Sequence, residues 1–264
     1  MRHCGLMKIR IISTCSTLSF LFLLALCQDP EPTASTLEQR REYIESLRNN
    51  PSEEGLKRKE RSIAKLKRFG LPHSKYQQPL PPASEVQLRT KKEILHRSYA
   101  LVTVCYKAAG VHPSRIEGFM DSFKAHEYLS PDERSFLADT NPTNSEIVEF
   151  SWRNESLVVL LWAVGLIQEL PYPDSQSNMD PVYTLFQYNY PGELESKANV
   201  RSKTEILDKA DLIFRMHWAA KESQVNPDSR PVNVNAQVLY QWHYTFNWLI
   251  RYMDDTWDNI STDT

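Results

Sequence analysis

Eleven consecutive apolar or small residues, Leu157 to Ile167, constrain this chain more than any other stretch. A helix built from such a run is hydrophobic on every face, so it has no solvent side and must be surrounded by other elements. The run is too short to cross a bilayer, which takes about 20 residues, and Glu155 and Glu169 flank it closely. The reading is a buried central helix over about 144–170. Its expected neighbours are the segment bearing Ile206, Ala210, Ile213, His217 and Ala220, and the segment bearing Val238, Trp242, Phe246, Leu249 and Met253.

The surrounding sequence supplies helices rather than strands. Capping-box spacings, in which a side chain satisfies an orphan N–H of the first turn, occur at Ser84 with Gln87, Ser130 with Glu133, Thr143 with Glu146 and Ser202 with Glu205. The predicted helices run over about 85–109, 113–128, 131–139, 144–170, 180–189, 203–222 and 235–253. Two more precede them, over 36–48 and from Asn50-Pro51-Ser52-Glu53 to a C-cap at Gly70. Leu71 to Ala83 carries Pro72, Pro79, Pro81 and Pro82 without periodicity and reads as a linker. The best strand candidate, Arg230 to Asn235, is short. Seven glycines in 264 residues also disfavour sheets joined by tight turns. The expected fold class is all-α, a single globular helical domain.

The first 27 residues read as an export leader: a short cationic stretch with Lys8 and Arg10, an uncharged apolar run from Ile11 to Leu26, and no acidic residue before Asp29. Leu24-Ala25-Leu26-Cys27 resembles a lipobox, which makes Cys27 the lipidation candidate, although Leu26 stands where a small residue is usual. An ordinary cleaved signal and an uncleaved N-terminal anchor are the alternatives, and Met7 is an alternative start. The expected organisation is a leader over 1–27, a tether and first helix over 28–53, and a helical domain over 54–264. Export would place the protein at the membrane of the cell envelope. Without Arg2, Lys8 and Arg10, 28 basic residues face 33 acidic ones, a balance that gives no ground for nucleic-acid binding. Cys4, Cys15 and Cys27 leave with the leader, so Cys105 stands alone and no disulfide framework is available.

Several motifs in order carry a family resemblance: Glu60-Arg61-Ser62 leading to Phe69-Gly70, Leu80-Pro81, Arg89 to Arg97, Trp152-Arg153-Asn154-Glu155-Ser156 running into Leu160 to Gly165, Arg215-Met216-His217-Trp218-Ala219, Asn247-Trp248-Leu249, and Trp257 to Thr264. Over roughly Glu54 to Thr264 the chain resembles the bacterial domain-of-unknown-function family 4272. The resemblance implies a bacterial setting and supplies no activity. Where that family often shows a Glu-Arg-Arg run, this chain has Tyr240 to Phe246, so no role built on that run carries over.

Candidate site residues gather in the C-terminal half, where all six tryptophans lie. Trp152, Arg153, Glu155, Arg215, His217, Trp218, Trp248, Asp258 and Asp263 are the ligand-pocket candidates, with an internal salt-bridge network tying helices together as the competing reading. Asp211 and Arg215 are spaced to pair on one helix face. The tail is expected to dock structurally, with Trp257 in the core and Asp258 and Asp263 meeting Arg153, Arg215 or helix N-termini. Zinc, phosphate-loop and nucleophile-elbow motifs are absent, so no metal or cofactor is expected. The leading functional expectation is a non-enzymatic binding or interaction module for a protein or envelope ligand. The alternative is a hydrolase or transferase using His217 with Glu155 or Asp258.

Overall fold

The computed structural model describes residues 35–226, 228 and 232–263. The leader, Cys27 and most of the tether lie outside the described residues. The described part is all-α, with eleven α-helices, three 3₁₀ turns and no strand. The helices are α1 (Leu37–Asn49), α2 (Glu53–Arg68), α3 (Lys91–Ala108), α4 (Pro113–Phe123), α5 (Pro131–Ala138), α6 (Asn144–Ser151), α7 (Arg153–Ala163), α8 (Asp180–Tyr188), α9 (Pro191–Lys197), α10 (Lys203–Val225) and α11 (Ala236–Leu249). No described helix is long and apolar enough to cross a membrane.

The central helix is α7, packed between α3 and α11, while α10 lies against α11 and α2. Every residue of α7 from Glu155 to Ala163 is buried, and Leu157, Val159, Leu160 and Leu161 are sealed from solvent. Each such aliphatic side chain contributes about 1.5–3 kcal/mol relative to exposure. The expected helix over 144–170 is in fact shorter and divided. Its first part is α6, joined to α7 through Trp152, which keeps right-handed helical angles but tightens the turn. Its end comes at Gly165, whose φ of +70° lies in the left-handed region. There Leu166 N–H donates to Leu161 O at 2.9 Å and Gly165 N–H to Trp162 O at 3.0 Å, the paired bonds of a Schellman cap. Arg201 reinforces this end, donating from Nε to Trp162 O at 2.8 Å and from Nη2 to Gln168 O at 2.7 Å. The apolar run continues past the cap because Leu166, Ile167 and Leu170 still pack on the core without being helical.

Three of the expected capping boxes form, at Ser130, Thr143 and Ser202. The one expected at Ser84 does not: α3 starts at Lys91 under a box made by Thr90 and Glu93. The preceding residues are drawn into a tertiary contact, where Arg89 N–H donates to Leu249 O at 2.9 Å. The N-cap of α2 is Ser52 rather than Asn50. Helix α9, opened by Pro191, was not expected, and residues 232–235, the described part of the strand candidate, hold no strand. Cys105 is buried in a side cluster with Phe136 and Phe150, and burial raises its thiol pKa well above the usual range.

Candidate functional site

The charged residues singled out in the sequence do not share one pocket. Glu155, at the start of α7, points inward and is satisfied by three donors: Ser177 N–H at 2.7 Å, Ser177 Oγ–H at 2.8 Å and Trp242 Nε1–H at 3.0 Å. A buried carboxylate held by neutral donors in this way ties the 174–179 loop to α11. Arg215 pairs with Asp211 one turn earlier on α10, through Nε at 2.9 Å and Nη2 at 2.7 Å. The spacing was right but the place was not: the pair is fully buried rather than on a helix surface. Arg215 Nη2 also donates to Gln78 O at 3.1 Å, which pins the proline-rich segment onto α10.

The C-terminal tail docks in part as the sequence suggested: Trp257 and Asp258 take the expected places and Asp263 does not. Trp257 is buried, with the guanidinium of Arg97 4.9 Å from its ring centroid and that of Arg153 5.8 Å away. Arg153 also lies 5.0 Å over the Tyr244 ring, and Tyr244 donates its hydroxyl to Trp257 O. Asp258 accepts from Asp132 N–H at 3.1 Å, so it meets the N-terminus of α5. Burial, and then the nearby Asp258 carboxylate, raise the pKa of Asp132. Arg97 forms a buried ion pair with Glu133 beneath this tail. Asp263 is exposed, and its charge is felt at Tyr252 rather than at an arginine. Among the tryptophans, Trp248 is buried under Arg89, whose guanidinium lies 4.9 Å from its ring, while Trp152 and Trp218 are half-buried against the core.

His217 finds a partner that sequence reading missed. Its Nδ1 lies 3.0 Å from Nδ1 of His243, across the α10–α11 contact, with each residue only 3% exposed. The direction of this bond follows from its neighbours. Asn247 Nδ2 donates to Ser261 O at 2.7 Å, which fixes its amide, and the same nitrogen lies 3.1 Å from His243 Nε2. His243 Nε2 therefore accepts and carries no proton, His243 Nδ1–H donates to His217 Nδ1, and the proton of His217 sits on Nε2. This tautomer assignment rests on the hydrogen-bond network. Tyr240, His243 and Asn247 recur at helical spacing on α11, a polar stripe that could have flagged His243 from sequence.

Burial, with a smaller contribution from Lys221, lowers the pKa of His217 to about 4. Burial also pushes His243 well below its ordinary value, followed by the effects of His217 and Lys221. Both rings are neutral near pH 7. His217 lines an open cavity of about 470 Å³ with Lys221 and Gln224 from α10 and Asn235, Gln237 and Tyr240 from α11. The hydrogen bonds of Glu155 and Asp258 go elsewhere, so the expected pairing of His217 with either carboxylate is not formed. No three His, Cys, Asp or Glu side chains cluster as metal ligands among the described residues.

No curated protein and no solved structure matches the chain. Residues 58–260 match the family described as domain of unknown function (DUF4272), a span that holds α3 to α11, both histidines and nearly all of the docked tail. The chain therefore belongs to the DUF4272 family.

Proposed function

We propose that this protein is a non-enzymatic binding module, held at the bacterial cell envelope by its leader and recognising its ligand on the surface between α10 and α11. The observation that supports it best is the engagement of His217. A general base needs a free lone pair on a ring nitrogen, and the one lone pair of His217 is taken by His243 Nδ1–H. Glu155 likewise accepts three hydrogen bonds from within the fold and makes none with His217. The polar groups that remain open to solvent around His217 are suited to contact rather than to chemistry.

The envelope assignment rests on the order of charge and apolarity in the first 27 residues. Mass spectrometry of the mature protein tests it: an acylated Cys27 at the N-terminus is expected, and an unmodified N-terminus beyond Cys27 would sink the lipid anchor. The binding role is tested by pull-down from native membranes with the wild type and with Lys221→Glu, an exposed substitution that leaves the core untouched. Loss of a specific partner from the variant is expected, and identical captures would count against this surface.

A further inference from the structure

The cavity beside His217 has a chemical bias. Among the described residues that line it, Lys221 is the one cation and none is acidic; the rest are amides, hydroxyls, Ala236 and the neutral imidazole. Glu222, next to Lys221 in sequence, accepts from Asn226 Nδ2 at 2.8 Å and does not line the cavity. The first turn of α11 opens onto the cavity through Asn235, Ala236 and Gln237, and brings the positive end of a 14-residue helix. The asparagine cap already accepts from Gln237 N–H and Val238 N–H, so the helix end alone would not define a site.

The second, independent observation is His217. It is 97% buried by its 3% exposure, its Nδ1 faces inward to His243, and its other ring nitrogen makes no hydrogen bond with any described residue while the ring lines the cavity. The chain Asn247 to His243 to His217 passes donor to acceptor at each step and ends on Nε2–H. Nε2 is not sealed from solvent, so the N–H that ends this chain is presented to the cavity, where it can donate to an acceptor from outside the protein.

We propose that this cavity is an anion site, which takes the carboxylate or phosphate group of a small ligand between Lys221, His217 Nε2–H and the N-terminal turn of α11. The inference rests on the reading of this surface as a binding rather than a catalytic one. His217 supplies a directional donor, Lys221 the charge, and the helix end a fixed positive potential. Tyr240, Gln224 and Gln237 offer further hydrogen bonds to the remainder of the ligand, and the volume accommodates a small organic acid rather than a polymer.

The test uses the full chain, titrated with inorganic phosphate and separately with acetate at constant ionic strength, chloride being the control. The ring nitrogens of His217 are followed by NMR. A saturable shift at Nε2 with either anion and none with chloride is expected, and Lys221→Gln should weaken it about fivefold, the loss of one exposed charge pair. A response to phosphate alone assigns a phosphate-bearing ligand, and one to acetate alone a carboxylate. Absence of any saturable shift, or an unchanged affinity in Lys221→Gln, would overturn the site. Phenyl phosphate separates the two readings: binding without release of phenol is expected, whereas release would overturn the non-catalytic assignment and leave the anion site standing.

Discussion

His243 Nδ1–H donates to His217 Nδ1 across 3.0 Å, and the two neutral imidazoles join α10 to α11 at a point buried on both sides. Among the described residues no carboxylate pairs with either ring to favour its charged form, so the fold stabilises both rings as neutral bases.

That state has a pH signature. In the unfolded chain a histidine takes a proton below about 6.5, whereas His217 in the fold holds out until about 4. The unfolded state therefore binds more protons in this window, and stability falls as pH drops through it. Going from pH 7 to about 4.5 should cost about 2 kcal/mol through His217, with a further loss from His243. Urea titrations across this range check the slope, and His217→Asn should flatten it.

Arg215→Ala should be strongly destabilising, by about 3–5 kcal/mol, because it strands Asp211 as a buried charge. Replacing both partners, Asp211→Leu with Arg215→Met, should recover most of the loss. Thermal denaturation of the single and double variants decides whether the pair acts as a unit. A loss in the double variant equal to the sum of the two single losses would argue against it.

Two glycines give opposite expectations. A Cβ at Gly55 would stand 2.5 Å from Leu80 O and 2.9 Å from Ser52 Oγ, so Gly55→Ala must push α2 off the proline-rich segment, at a cost of about 1–3 kcal/mol. Gly118, inside the exposed face of α4, has nothing within 4 Å of its Cβ position. There Gly118→Ala should stabilise by about 0.4–1 kcal/mol. Chemical denaturation of the two variants gives the signs directly.

Asp255 is buried and accepts from Ser35 N–H at 2.6 Å and Ser35 Oγ–H at 2.9 Å, with Arg40 at 3.6 Å. Helix α1 itself buries no residue, and its other notable contact is the edge of Tyr43 on Tyr252. Asp255→Ala should therefore release α1 selectively. Hydrogen exchange in α1 should quicken about tenfold or more while α3 and α7 are unchanged; uniform acceleration would mean that Asp255 holds the whole fold instead.

How much of this was readable in the chain depends on whether a feature is local. The boxes at Ser130, Thr143 and Ser202 and the all-round apolarity of Leu157 to Ala163 lie within single segments, and they formed where the sequence placed them. The end of α7 was also written locally, in Gly165, but the continuing apolar run concealed it. The start of α3 was decided by a contact between Arg89 and Leu249, 160 positions apart, which no spacing reveals. The site followed the same rule. Arg215 and Asp211 were paired by their spacing, yet their burial depended on the proline-rich segment laid over them. His217 was singled out, but its partner is 26 positions away and depends on the register of α10 against α11. The stacking of Arg89 on Trp248 and of Arg97 on Trp257 likewise joins residues more than 150 positions apart, which no spacing reveals.

The anchoring of α1 bears on where this domain begins as a physical object. The family match opens at residue 58, in the middle of α2, but Asp255 inside it is completed by Ser35 and Arg40 outside it, and Arg58 by Glu54. Cutting the gene at the homology boundary would take Ser35 and Arg40 from the buried Asp255 carboxylate, take Glu54 from Arg58, which keeps Asp208 and Pro81 O, and remove the Ser52 cap of α2. The unit that is inherited and the unit that folds are thus different lengths of chain, and an expression boundary set ahead of Ser35 respects the second.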